Sequence, residues 1–201
     1  MRKKSPQKKP NNKSNDGFIR IISGQFRNRK LPVKDVQGLR PTTDRIKETV
    51  FNWLMQDTRD AKVLDCFAGS GGLGFEALSR FAHSATFLEM DNSASAQLKT
   101  NAQTLNLNNA DIHCTDSLRY LGQNTNEQQF DLVFVDPPFR QNLAKPCCDL
   151  LIENNWLSEN ALIYVEVESE LNNLDLPSSW LLLKEKIAGQ VLCRLYQFQQ
   201  N

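Results

Sequence analysis

Histidine is scarce in this 201-residue chain, and its cysteines are unordered. Two histidines, His83 and His113, stand beside five cysteines, Cys66, Cys114, Cys147, Cys148 and Cys193. No two cysteines have the C-x-x-C spacing and their number is odd, so neither a metal site nor a disulfide framework is expected. Reduced thiols in a metal-free protein are the simpler expectation. No apolar run approaches the ~20 residues that span a bilayer, which argues against membrane contact. Met1-Arg2-Lys3-Lys4 leads into polar residues rather than a hydrophobic signal segment, so a soluble, cytoplasmic protein is expected. The one glycine-rich turn lacks the Lys-Ser/Thr pair of a P-loop.

Acids are few in the front of the chain, and bases are outnumbered in the rest. Fourteen of the 24 Lys and Arg fall in residues 1–47 against three acids, a net +11. The remainder holds ten bases and 20 acids, a net −10. A cationic front on an acidic body points to a polyanionic partner, with nucleic acid first among candidates. Residues 1–16 are polar and basic without apolar partners, and a disordered tail is expected there. Residues 17–40 read as a basic β-hairpin extension with its turn at Ser23-Gly24. There Arg20, Arg27, Arg29 and Lys30 are the candidates to meet phosphates. Residues 41–201 are expected to form the main domain.

That domain opens with Arg40-Pro41-Thr42-Thr43-Asp44, a helix start, followed by Ile46, Val50, Trp53 and Leu54 at helical spacing. Thr42, Thr43 and Asp44 are candidate caps, and Thr42 is also a candidate at the ligand edge. Lys62 to Leu78 reads strand, glycine turn, helix, with Gly69, Gly71 and Gly74 matching G-x-G-x-x-G. Asp65 ends that strand, where a carboxylate can face a cationic ammonium, and Phe67 lies just beyond it. The second strand, Ser84 to Leu88, ends at Glu89-Met90-Asp91. An acid about 20 residues past the first glycine is placed to take a ribose diol, with Glu89 preferred and Asp91 in reserve. Met90 offers an apolar surface to a purine. After a third strand, Ala110 to Cys114, Asp116 is placed either to accept from an adenine amine or to cap a helix, and Ser117 adjoins it. Asn124 to Gln129 is a polar loop.

A fourth strand, Leu132 to Val135, stops at Asp136-Pro137-Pro138-Phe139. Two prolines end the ladder and hold the chain extended. A carboxylate, neighbouring carbonyls and an aromatic face then stand at the strand's carboxyl end, where open α/β sheets bind ligands. Two acceptors and one ring suit a planar group bearing an exocyclic amine. A helix around Leu143 to Glu153, a fifth strand from Ala161 to Val167, and a hairpin from Trp180 to Phe198 through Ala188-Gly189 complete the pattern. The expected fold is α/β and Rossmann-like: a seven-stranded, mostly parallel sheet with an antiparallel C-terminal hairpin.

Taken together, Asp65, Gly69-x-Gly71, Glu89, Asp116 and Asp136-Pro137-Pro138-Phe139 resemble the class I S-adenosylmethionine-dependent methyltransferases that act on amines. Arg20-Ile-Ile-Ser-Gly24, Leu39-Arg-Pro-Thr-Thr-Asp-Arg45, Leu64-Asp-Cys-Phe-Ala-Gly-Ser-Gly-Gly72 and Ala188-Gly-Gln190 narrow the resemblance to the bacterial RsmD family. That resemblance runs from about Phe18 to Phe198. It implies S-adenosyl-L-methionine as cofactor, methylation of guanine N2 in 16S ribosomal RNA of the small ribosomal subunit, and a monomeric enzyme. The implied cofactor contacts are Asp65, Phe67, Gly69, Gly71, Glu89, Met90, Asp116, Ser117 and Thr42. Asp136, Pro137, Pro138 and Phe139 are implied at the target base. Three rivals stand against this: a DNA or RNA adenine-N6 or cytosine-N4 methyltransferase, an NAD(P)-dependent oxidoreductase, and a non-catalytic RNA-binding factor. The second leaves Asp136-Pro137-Pro138-Phe139 and the cationic front without a role.

Overall fold

A computed structural model describes residues 17–34, 43–123, 128–171 and 174–199. The expected tail, Arg40, Thr42 and most of the polar loop at 124–129 lie outside the described residues. Apolar runs with β-branched and aromatic residues form the central strands β3 (Lys62–Asp65), β4 (Ser84–Glu89), β5 (Ala110–Cys114), β6 (Phe130–Val135) and β7 (Leu157–Glu168). A hairpin, β8 (Trp180–Ala188) and β9 (Val191–Phe198), closes the sheet in the order β5-β4-β3-β6-β7-β9-β8. The first five strands pair in parallel, and β9 runs antiparallel to both β7 and β8. The seven strands and the antiparallel end are as the sequence pattern anticipated.

Helices cover both faces because both faces are apolar. On one side lie α1 (Asp44–Trp53), α2 (Gly72–Ser79) and α3 (Asn92–Thr104), over a core that includes Phe51, Phe75, Phe87, Phe134 and Tyr164. On the other, α4 (Ser117–Leu121) and α5 (Ala144–Glu153), the latter through Leu151, pack over Val133, Val135, Trp156 and Ile163. The start of α1 is set by Thr43, whose Oγ1 accepts from the Ile46 amide at 3.4 Å. None of the helices among the described residues is long and apolar enough to cross a membrane. All five cysteines are free thiols, four of them buried.

The amino-terminal hairpin differs from the expected one. Its strands, β1 (Gly17–Arg20) and β2 (Lys30–Val33), are four residues each and form a separate two-stranded sheet. Ser23-Gly24 is not a tight turn between them; the chain loops from residue 21 to 29 instead. The reason is tertiary. Glu76 of α2 has no exposed surface, and its carboxylate accepts from the amides of Ile22 (2.7 Å) and Ser23 (3.0 Å) and from Arg80 Nε (2.8 Å). Gly24, at φ +79°, then runs so close that a Cβ would stand 1.9 Å from the Ser79 carbonyl oxygen. The amides of Gln25 and Phe26 donate to Ser79 O and Oγ. The loop is docked on α2, while its ends still pair with each other: the Ile21 amide donates to the Arg29 carbonyl at 2.9 Å and the Asn28 amide to the Ile21 carbonyl at 2.8 Å.

Glu76→Ala should therefore cost about 3 kcal/mol, because Arg80 and two amides lose a buried acceptor together. Urea unfolding measures that loss. Hydrogen exchange should quicken at Ile22 and Ser23 well before it does at Val133; equal protection at all three would refute the docking role.

Candidate active site

The glycine turn between β3 and α2 is held by two acids. Gly69 (φ +52°) donates its amide to Glu89 Oε2 at 2.8 Å, and Gly74 donates to Asp65 Oδ2 at 3.1 Å. Gly71, at φ +78°, is the N-cap of α2, and a Cβ there would stand 2.6 Å from Leu98 and Phe75. The third glycine of the pattern has a packing role: a Cβ on Gly74 would lie 2.2 Å from the Phe87 ring. Gly74 lets α2 rest on β4, while Gly69 and Gly71 shape the turn.

Asp65 is 2% exposed, and burial pushes its carboxyl up to about 7; the Gly74 amide opposes this and the charge on Glu89 adds to it. Such a group favours a cation beside it. Glu89, half-buried at the end of β4, is also raised, chiefly by burial. Its two oxygens take the Gly69 and Asp91 amides. Each carboxylate oxygen has a further acceptor direction, so a diol can still bind. Met90 is 70% exposed next to it.

The other acids divide. Asp91 caps α3, accepting from the amides of Ser93 and Ala94, and the Ser93 hydroxyl and those amides lower its pKa. Asp116 caps α4 by accepting from the Arg119 amide at 2.8 Å, through Oδ1. Ser117 is buried and donates its hydroxyl to the Cys66 carbonyl, tying α4 to the glycine turn. Phe67 is partly buried against the core on the α5 side. Thr42, placed at the same edge by the sequence, is not among the described residues.

Asp136 follows β6 directly and is half-buried, with Pro137 buried, Pro138 exposed and Phe139 half-buried. The chain then turns at Arg140 (φ +63°), whose amide donates to the Glu168 carboxylate at the end of β7. The segment bearing Phe139 is thus pinned to the neighbouring strand. Because β6 pairs with β3, Asp136 emerges at the same sheet edge as Asp65 and the glycine turn. One strand over stands a group that the sequence reading missed. Glu166 is 5% exposed and accepts from the Tyr164 hydroxyl at 2.6 Å. Its signal was an acid near the carboxyl end of the otherwise apolar run at 161–167.

The four candidate phosphate contacts also separate. Arg20 pairs with Asp44 at 2.7 Å, and its carbonyl accepts from the buried Lys47 ammonium at 2.5 Å. This pairing fastens the hairpin to α1 and sets Arg20 apart from the other three candidates. Arg27, Arg29 and Lys30 are exposed, with the Lys30 ammonium 4.4 Å from the centre of the Phe18 ring.

A family model described as "Conserved hypothetical protein 95" matches residues 19–197. The chain is 53% identical over 190 residues to the ribosomal RNA small subunit methyltransferase D of Escherichia coli (strain K12), covering 94% of each. It is 55% identical over 183 residues to the protein of the same name from Haemophilus influenzae, covering 90% of this chain and 94% of the relative. The solved structure of the Escherichia coli protein yhhF, at 49% identity, superposes with a TM-score of 0.85 over 92% of this chain and all (100%) of that one. A ribosomal protein L11 methylase from Lactobacillus delbrueckii subsp. bulgaricus shares the fold at 14% identity, with a TM-score of 0.61 over 84% of this chain and 86% of that one. The resemblance carried by Asp136-Pro137-Pro138-Phe139 and the glycine turn is borne out: the chain belongs to the ribosomal RNA small subunit methyltransferase D family.

Proposed function

We propose that this protein transfers a methyl group from S-adenosyl-L-methionine to the exocyclic N2 amine of a guanine in 16S ribosomal RNA, in the cytoplasm. One observation carries the reading. Asp136-Pro137-Pro138-Phe139 leaves the sheet beside the glycine turn, on the strand next to Asp65. The donor set fits such a cofactor. Asp65, buried and reluctant to ionise alone, suits the amino-acid ammonium; Glu89 suits the ribose hydroxyls; exposed Met90 suits the adenine face. Asp116 and Ser117 border the adenine end, and Phe67, Gly69 and Gly71 form the floor. S-adenosylmethionine, when bound, supplies an already activated sulfonium methyl.

The residues of the chain then have to ready a poor nucleophile. A guanine N2 lone pair is delocalised into its ring. Hydrogen bonds from N2–H to the Asp136 carboxylate and the Pro137 carbonyl draw that nitrogen toward a tetrahedral shape and aim its lone pair. Orientation of this kind supplies much of the rate without a covalent intermediate. The base must leave its stack to enter, and stacking on Phe139 offsets on the order of 1–3 kcal/mol of that cost. Asp136 can hold the released proton or pass it to water. Arg27, Arg29 and Lys30 meet the RNA backbone, with the basic residues of the preceding segment adding to the same field.

Cofactor binding tests the acids. With Asp65 titrating at about 7, a bound ammonium should drive it fully to the carboxylate and release about half a proton at pH 7. Calorimetry in two buffers of different ionisation heat reads that release, and Asp65→Asn should abolish it. Glu89→Ala should weaken affinity roughly 10-fold or more through the lost ribose contacts; unchanged affinity would end the ribose assignment.

Asp136→Ala should slow single-turnover methylation on the order of 100-fold or more while leaving cofactor and RNA affinities near the parent values, since its bond strengthens as the nitrogen pyramidalises. Asp136→Asn keeps an acceptor oxygen, and partial activity should survive. A well-folded Asp136→Ala protein working at the parent rate would remove Asp136 from the reaction.

For the cationic front, neutralising Arg27, Arg29 and Lys30 together should flatten the salt dependence of RNA binding by about 0.7 per lost phosphate contact. Arg20 is left in place because it pairs with Asp44. An undiminished slope would assign these charges another purpose.

A further inference from the structure

Asp136 accepts hydrogen bonds from an amine, and adenine, cytosine and guanine all carry one. Something else must choose among them. Glu166 occupies the place from which that choice can be made. In the β6–β7 ladder Val135 pairs with Val165, so Asp136 and Glu166 are the next residues of adjacent parallel strands. Neighbouring strands lie about 4.8 Å apart. Side chains alternate between faces: Leu132 and Phe134 share a core with Leu162 and Tyr164, and Asp136 and Glu166 continue both series on that same face. The two carboxylates also act together on their surroundings. Burial is the main cause that raises the Tyr164 and Cys193 pKa values, and the charges of Glu166 and Asp136 add to it at both groups.

The Glu166 carboxylate is fixed and half satisfied. The Tyr164 hydroxyl donates to Oε2 at 2.6 Å, and the Tyr164 ring is held edge-on against Phe134 with centroids 6.3 Å apart. Oε1 takes no hydrogen bond among the described residues. The cation within reach by register, Lys186 on β8, lies across Cys193 and gives its ammonium to Thr49 Oγ1 at 3.0 Å. Only Ser95 Oγ and Trp180 Nε1 are buried and unpartnered among the described residues, so Oε1 of this 5% exposed carboxylate keeps access to the surface and can accept from a second donor. The sheet order places that donor: the cofactor edge is on β3 and β4, Asp136 is on β6, and Glu166 lies on the far side from the glycine turn.

Guanine presents N1–H and N2–H side by side on one edge. Adenine and cytosine set their amines beside an unprotonated ring nitrogen, which is an acceptor. We infer that Glu166 is the specificity-determining residue of the site: its carboxylate accepts the guanine N1–H while Asp136 accepts N2–H, and it repels the ring nitrogen of adenine or cytosine. This rests on the function proposed above and deepens it by naming how the base is selected. Donation from N1–H and from the Tyr164 hydroxyl both favour the ionised carboxylate that burial opposes.

The test uses small-subunit RNA carrying either guanine or 2-aminopurine at the nucleotide the protein methylates. 2-Aminopurine keeps the 2-amine and has an acceptor at N1. The unaltered protein should methylate it on the order of 100-fold more slowly than guanine, because a site built to bond a donor rejects an analogue lacking it. Glu166→Gln can donate from its amide to that acceptor and still accept from Tyr164. It should slow transfer to guanine and quicken transfer to 2-aminopurine, moving the ratio on the order of 100-fold in the opposite direction. A purely structural role for Glu166 would lower both rates alike, and a ratio unmoved in a Glu166→Gln protein with a cooperative melt would overturn the inference. Should that variant fail to fold, the comparison in the unaltered protein decides, and equal rates on the two RNAs would overturn it. Transfer to the guanine RNA is measured in every arm, so its absence in the unaltered protein overturns the proposed function itself and is told apart from a failure of base selection.

Discussion

The arrangement of the site depends on two carboxylates that hold the glycine turn and the helix after it by their amides. Glu89 takes the Gly69 amide and Asp65 takes the Gly74 amide, one from each of two adjacent strands. The turn between β3 and α2 is therefore stapled to β4, and the first turn of α2 to β3, by groups of the protein alone. The cost is electrostatic. Asp65 has almost no access to water, and its pKa of about 7 means that folding disfavours its charge. The sign is that of a raised acid: its contribution to stability is present at low pH and declines as pH rises through about 7. A cationic ligand reverses that penalty, so the same burial that weakens the free protein strengthens the complex.

The second constraint joins the cationic front to the catalytic body. Glu76, with no exposed surface, and Lys47, at 1%, are buried ions that accept from or donate to backbone on the amino-terminal hairpin. A buried charge is tolerated only with partners, so each fixes where the hairpin sits. Arg20 adds an exposed pair with Asp44, a contact that salt screens. Held in this way, Arg27, Arg29 and Lys30 are presented from a rigid hairpin instead of a loose arm. RNA bound there meets a surface of set geometry relative to α1 and α2.

Across the sheet the work divides by strand. β3 and β4 end in the groups proposed for the cofactor, β6 ends in Asp136, the proposed amine acceptor, and β7 ends in Glu166 and Glu168, the latter anchoring the turn after Phe139. β9 and β8 supply Cys193 and Lys186 behind them. The exposed edge, β8, carries Lys184, Glu185 and Lys186 among its apolar residues, and charges of this kind discourage pairing with another chain.

The sequence by itself determined most of the elements and the placing of the chemistry along them. Apolar and β-branched runs marked β4 and β9 to within a residue and β6 to within two, helical spacing marked α1, and the double proline marked the end of β6, because these signals arise from local backbone periodicity and sterics. The glycine pattern was legible too, although the role of Gly74 was not: its need to be small comes from the Phe87 ring on another strand. Likewise, whether Asp91 and Asp116 cap helices or face ligand could not be read from spacing, since both uses favour an acid just past a strand. Only the tertiary structure decided the rest. Gly24 adopts its conformation because of Ser79, 55 residues on; Arg20 is drawn to Asp44; and Glu166 stands beside Asp136 only because β7 is the strand next to β6. A periodicity repeats within one element and shows in any window of sequence, whereas the partner of a buried charge is whatever the packing of distant elements brings to it.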